Sequence, residues 1–251
     1  MKLSSLVLVL VLVCAVGLLS GCGHKAASVS VPDAPPLSPS SEQQASQKSS
    51  EATPSETPQE NDDIAPDAKP VLVETGIASW YGAPYHNRRA ANGEIYDMHA
   101  MTAAHRTLPL GSIVRVTCIA NGGSAVVRIT DRGPFIQGRI IDLSQAAAKE
   151  IGLVQKGTAM VRVEVLKTPH PIEVGGRWAV QIGGFESEET ARDMAGHLSR
   201  RYQTARVLTF NSPAGDWWVR VRVKDDERDR AEEVLHAEKT SEGGIFLVRL
   251  D

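Results

Sequence analysis

Apolar and polar residues follow three different patterns along the chain. Behind one basic residue, Lys2, residues 6–19 form a nearly unbroken apolar run. Residues 24–70 show no apolar period. From Val71 onward, short runs of alternating or fully apolar character recur at 75–81, 113–119, 125–130, 139–143 and 159–166, separated by Gly, Asn and Pro. That spacing predicts strands. One short helix is predicted at 145–151, with Ser144 as its N-cap and Gly152 at its C-terminal end. Several short strands and one small helix within about 95 residues predict a compact β-barrel over 71–167.

A Pro- and Gly-rich stretch at 168–176 marks a boundary, and the pattern then changes. Residues 178–182 predict a strand, and Ser187 caps a helix with Glu188 and Glu189 in its first turn, where the helix dipole favours acids. Ala191, Met194, Ala195 and Leu198 recur at helical spacing. Strands at 205–210 and 217–223, a helix at 227–236 with Ala231, Val234 and Leu235 on one face, and a strand at 245–250 complete the segment. The order β-α-β-β-α-β predicts a ferredoxin-like sheet over 168–251, with helices on one face and the other free to bind.

Composition explains the first third of the chain. All twelve aromatic residues lie at or beyond Trp80, so residues 1–79 have little with which to build a core. Residues 1–21 have the order of a secretion signal, and Leu19-Ser20-Gly21-Cys22 resembles a bacterial lipobox, which implies lipidation of Cys22. Gly23, where an Asp usually marks retention at the inner membrane, implies sorting to the outer membrane. Residues 24–70 hold eight Pro, nine Ser and eight acids against three bases, the composition of a disordered tether. Of three cysteines, Cys14 leaves with the signal and Cys22 is lipidated. Cys118, in an alternating run, is expected in the core, with no disulfide inside the chain. A net charge of −3 argues against a nucleic-acid partner, and no metal-ligand spacing, phosphate loop or nucleotide fingerprint points to a cofactor.

Ionisable residues concentrate in three stretches of the barrel segment. Asn92-Gly93-Glu94-Ile95-Tyr96-Asp97 holds two carboxylates, followed by His105 in a loop-like stretch. Asp131 opens Asp131-Arg132-Gly133-Pro134-Phe135 behind an apolar strand, and Asp142 lies between Ile140-Ile141 and Leu143. Desolvation at such a position raises a carboxyl's pKa and keeps it protonated as a general acid. The same residues also admit structural roles. Asp131 can close an Asx turn, Asp142 can pair with Arg139 or Arg132 or cap the helix at Ser144, and a lone His105 is as readily a structural side chain.

Gly76-Ile77-Ala78-Ser79-Trp80-Tyr81-Gly82, Ala91-Asn92-Gly93-Glu94-Ile95-Tyr96-Asp97, Thr102-Ala103-Ala104-His105-Arg106-Thr107-Leu108-Pro109, Thr130-Asp131-Arg132-Gly133-Pro134-Phe135 and Gly138-Arg139-Ile140-Ile141-Asp142-Leu143-Ser144 closely resemble the rare lipoprotein A family in its double-psi β-barrel domain. The resemblance implies an endolytic lytic transglycosylase acting on peptidoglycan strands stripped of their stem peptides. It carries the family's functional residues onto Glu94, Asp97, His105 and Asp131. Asp142 corresponds to an Asp of expansins and related barrels. Asp131 is the expected acid and Asp142 the less favoured choice, with Glu94, Asp97 and His105 positioning the sugar and tuning that acid. Because expansins loosen walls without lysing them, a non-catalytic wall-binding or division-scaffold protein is the alternative.

Gly176-Arg177-Trp178-Ala179-Val180-Gln181-Ile182-Gly183-Gly184-Phe185 resembles the opening strand of SPOR domains. This implies binding of denuded glycan at the division septum, with division-septum proteins as candidate partners. Gln181, Trp218 and Arg220 are the expected sugar contacts on the open sheet face. Trp217 and Trp218 must point to opposite faces. Residues 168–251 carry twelve bases and fifteen acids, so bulk charge does not drive that binding. Many SPOR domains have Gly-Pro after the third strand, where this chain has Val223-Lys224-Asp225-Asp226, so the geometry of that turn is open.

Overall fold

The computed structural model describes residues 68–251, which fall within one compact unit. The signal-like run, Cys22 and most of the tether lie outside the described residues. Six strands close a barrel: β1 (Leu72–Tyr81), β2 (Thr102–His105), β3 (Ile113–Cys118), β4 (Ser124–Asp131), β5 (Arg139–Ser144) and β6 (Ala159–Lys167). Their order around the barrel is β1-β5-β2-β4-β3-β6, with β1/β5 and β2/β4 parallel and the other neighbours antiparallel. Alternation dictates the packing. Val114, Val116 and Cys118 of β3, Val127 and Ile129 of β4, Ile141 and Leu143 of β5, and Val161, Val163 and Val165 of β6 fill the interior. Helix α1 (Gln145–Glu150) plugs one end with Ala147 and Ala148, and the Ser144 side chain accepts from Ala147 N at 3.2 Å as its N-cap.

One strand differs from expectation. Residues 102–105 form β2, not a loop, and all four are buried. Thr-Ala-Ala-His carries no bulky apolar residue, and its strand character comes from pairing on both edges with β4 and β5.

The C-terminal sheet comprises β7 (Trp178–Phe185), β8 (Arg206–Asn211), β9 (Trp217–Arg222) and β10 (Gly244–Arg249), ordered β10-β7-β9-β8 and antiparallel throughout. Helices α2 (Glu188–Arg201) and α3 (Arg228–Ala237) cover one face through Ala191, Leu198, Ala231 and Val234. Ser187 caps α2 by accepting from Thr190 N at 3.1 Å. Trp217 packs toward the helices and Trp218 toward the other face. The turn without Gly-Pro is made by left-handed residues Asp225 and Asp226, the latter buried and paired with Arg222.

The second sheet face is not open. Gln181 is 2% and Trp218 6% exposed, because the barrel covers them. Phe135, beyond β4, packs against Trp218 and Phe246 with centroid separations of 5.4 and 5.8 Å. Arg249 N donates to Arg106 O at 2.9 Å, Leu110 N to Asp251 O at 3.2 Å, and Arg132 Nη2 to Asp251 O at 2.6 Å. These bonds join the end of β10 to the turn after β2 and to the residue that follows β4.

Candidate active site

The barrel's parallel and antiparallel pairings converge on Ala104. Its β4 partner is Asp131 and its β5 partner is Asp142, so the three residues form a row across adjacent strands. Neighbouring strands lie about 4.8 Å apart, which sets the two carboxylate-bearing backbones roughly 10 Å from each other with only a methyl group between. All three residues line one cavity of about 480 Å³, within the range of small-molecule sites.

Local structure aims each acid. Asp131 ends β4, and its Oδ1 accepts from Arg132 N at 2.8 Å and Ala91 N at 3.0 Å, tying the 88–96 loop to the strand. Burial pushes its carboxyl above the usual range, and the two amides offset part of that rise. Asp142 lies within β5, where burial pushes its carboxyl up to about 6 despite the nearby Arg139 and Arg106 guanidinium groups. Its Oδ2 accepts from Arg139 Nη2 at 3.0 Å, whereas Oδ1 is buried without a hydrogen-bond partner. Gly133, at φ 144°, turns the chain beside Ala104 in a conformation that side chains other than glycine rarely adopt.

Aromatic rings complete the barrel side. Tyr81 and Tyr96 lie 4.4 Å apart by centroid and both line the cavity, with Tyr96 Oη donating to Tyr81 O at 2.8 Å. Burial, followed by the nearby charge of Asp131, holds the Tyr81 hydroxyl protonated far above its ordinary range. The opposite wall belongs to the C-terminal sheet: Gln181, Phe210, Trp218 and Arg220 line the same cavity. Arg220 Nη2 donates to Gln181 Oε1 at 2.8 Å and its guanidinium lies 5.0 Å from the Phe210 ring centroid.

The structure brings Asp131, Asp142, Gln181, Trp218 and Arg220 together and leaves Glu94, Asp97 and His105 off the cavity wall. Glu94 makes a bidentate pair with Arg128 at 2.9 and 2.8 Å on the exposed side of the 88–96 loop, and this pairing holds its carboxyl below the ordinary value. Asp97 Oδ1 accepts from His99 N at 2.9 Å in an exposed turn. His105 is 4% exposed; its Nδ1 accepts from Thr107 N and Leu108 N at 3.2 and 3.1 Å. That leaves the proton on Nε2, which donates to Glu74 Oε2 at 3.2 Å. Burial lowers the His105 pKa, so the ring is neutral and braces the turn beneath the site. Nothing in the local sequence singles out Tyr81 and Tyr96 as site residues, although both sit inside its most distinctive motifs. Among the described residues no group of three or more His, Cys, Asp or Glu could hold a metal ion.

Comparison with known proteins covers both modules. Residues 73–163 match the family model described as lytic transglycolase, and residues 174–246 the model described as SPOR domain. The chain is similar to proteins named endolytic peptidoglycan transglycosylase RlpA. It is 37% identical over 205 residues to that of Campylobacter jejuni, covering 69% of this chain and 71% of the relative. It is 48% identical over 136 residues to that of Vibrio cholerae, covering 51% and 52%. It is 59% identical over 91 residues to one from Helicobacter pylori, covering 36% and 29%. The chain thus spans about half the length of the Vibrio relative and under a third of the Helicobacter one.

Proposed function

Because this chain belongs to the RlpA family of endolytic peptidoglycan transglycosylases, we propose that it is itself a lytic transglycosylase, cutting MurNAc–GlcNAc bonds within glycan strands that lack stem peptides. The observation that carries this reading is the row Asp131-Ala104-Asp142 in a cavity with tyrosines on one wall. A carboxyl pushed up to about 6 with one oxygen unpaired is suited to donate a proton near neutral pH, so Asp142 is the donor in this proposal. The sequence favours Asp131 for that role. The difference is that two backbone amides occupy Asp131 Oδ1 and stabilise its ionised form.

The chemistry then runs within the substrate. Asp142 gives its proton to the glycosidic oxygen as the MurNAc C1–O bond breaks, releasing the GlcNAc 4-hydroxyl. Asp131, ionised, stabilises the positive charge at C1 and takes the proton from the MurNAc 6-hydroxyl as that oxygen bonds to C1. The product is a 1,6-anhydro ring; the proton gained by Asp131 returns to Asp142 through solvent, so nothing is consumed. An intramolecular nucleophile gains the advantage of proximity and needs no water activated across the ring, unlike an ordinary inverting glycosidase.

In this reading Glu94, Asp97 and His105 act through the loops they fix rather than on the sugar. The lipid on Cys22 anchors the protein to the outer membrane facing the periplasm, since two or three acyl chains hold a protein stably. The tether reaches the wall, and the SPOR domain enriches the enzyme at the septum. Incubating the protein with amidase-treated sacculi tests the activity: anhydro-ended glycan fragments are expected. Intact sacculi together with retained binding would leave the wall-binding alternative.

A further inference from the structure

Five buried side-chain atoms on residues that line the 480 Å³ cavity have no hydrogen-bond partner: Tyr81 Oη, Asp142 Oδ1 and the Nε atoms of Arg132, Arg139 and Arg220. Buried polar groups are ordinarily paired, so a cluster of unpaired ones in one cavity marks a place for a polar ligand. The first four belong to the barrel, and Arg220 belongs to β9 of the other domain. Its guanidinium is already oriented, held by Gln181 Oε1 at one nitrogen and by the Phe210 face, which leaves Nε as the group to be satisfied.

We propose that Arg220, with Gln181, forms a sugar subsite of the cleavage cleft itself, so that one continuous stretch of glycan is held by the SPOR sheet and cut in the barrel. This rests on the lytic reading above. The glycan-contact face and the catalytic face are opposite walls of a single cavity, not two sites joined by a linker. Arg220 Nε and the Gln181 amide donate to N-acetyl or lactyl carboxylate oxygens of the residue neighbouring the scissile bond. A strand carrying stem peptides on its lactyl groups does not fit between two walls that already bury Trp218 and Gln181, so the cleft selects bare glycan by exclusion.

A short denuded oligosaccharide of four sugars separates a shared cleft from two distant sites, because it cannot reach both at once. The full chain, Arg220→Gln, Arg220→Lys and Tyr81→Phe are compared for anhydro-product release from the tetrasaccharide and, by calorimetry, for its binding. Expected is a loss of at least tenfold in kcat/KM for Arg220→Gln, partial recovery for Arg220→Lys, and weaker tetrasaccharide binding in both Arg220→Gln and the barrel variant Tyr81→Phe. Unchanged turnover of the tetrasaccharide by Arg220→Gln, with loss confined to long strands, would overturn the shared cleft while leaving the lytic reading intact. If the wild type releases nothing, binding decides: dependence on both Arg220 and Tyr81 sustains the shared cleft and removes only the lytic reading. Dependence on Arg220 alone overturns the cleft. Folding of each variant is checked by its thermal transition.

Discussion

Phe135 of the barrel lies against Trp218 of the C-terminal sheet, ring centroids 5.4 Å apart at an interplanar angle of 51°. Both side chains line the cavity that holds Asp131 and Asp142. The contact therefore joins the two modules where the site is assembled, and Phe246 and Arg106 extend it.

Phe135→Ala removes the barrel's aromatic contribution to that junction. Aromatic pairs contribute about 0.5–1.5 kcal/mol beyond the area they bury. The expected result is a loss of about 2 kcal/mol in coupling between the domains. Calorimetry of the wild type should show one cooperative unfolding transition, and the variant two. A single unshifted transition in the variant would show that the ring carries little of the junction.

The parts of this architecture differ in how far the sequence discloses them. Alternation makes β3, β4 and β6 legible, because Val and Ile at every second position define an inner face. It hides β2, since Thr102-Ala103-Ala104-His105 has small or polar residues throughout and is buried by its neighbours. Asp131 and Asp142 each stand out beside apolar residues, but their alignment across Ala104 depends on the register of one parallel and one antiparallel pair. Local sequence does not encode such long-range pairing. Likewise, periodicity places Trp218 and Arg220 on one face of β9 without telling what covers it.

Filling the gap between the acids should silence the site without unfolding the barrel. Ala104 is buried, and a β-carbon on Gly133 would lie 3.8 Å from its methyl, so there is little room for a larger side chain except toward the cavity. Ala104→Val is expected to cost about 1–2 kcal/mol through overpacking and to lower product release at least a hundredfold. Denaturant unfolding and anhydro-product release, measured on the same preparation, check both halves.

Acid should loosen the barrel through His105 and Glu74. The buried ring of His105 has a lowered pKa, so the unfolded chain binds its proton more readily and stability is lost as pH falls below about 6.5. Glu74, lowered chiefly by its bond to His105, adds a loss as pH falls further, through its folded pKa. His105→Gln should lower the melting temperature at pH 7 and flatten its dependence between pH 7 and 5. A variant whose melting temperature keeps the wild-type pH slope would assign that slope to other groups.

Asp142 should work against stability as it serves activity. Its folded pKa, about 6, stands above the unfolded value, so the folded protein holds the proton more tightly. The stability this contributes is complete below the ordinary carboxylate range and is lost as pH rises through about 6. Asp142→Asn keeps the neutral form at all pH values. It is therefore expected to gain on the order of 2 kcal/mol at neutral pH relative to wild type, a gain that vanishes in acid. The same substitution removes the donor, so the rate of anhydro-product release should fall by roughly a hundred- to ten-thousandfold. Asp131→Asn should match that loss of rate. With its smaller burial effect partly offset by two amides, it should give less of the stabilisation. In the wild type, the rate should decline as pH rises past about 6, as the donor ionises. Persistence of that basic limb in Asp142→Asn, with the rate otherwise intact, would move the proton donor to Asp131.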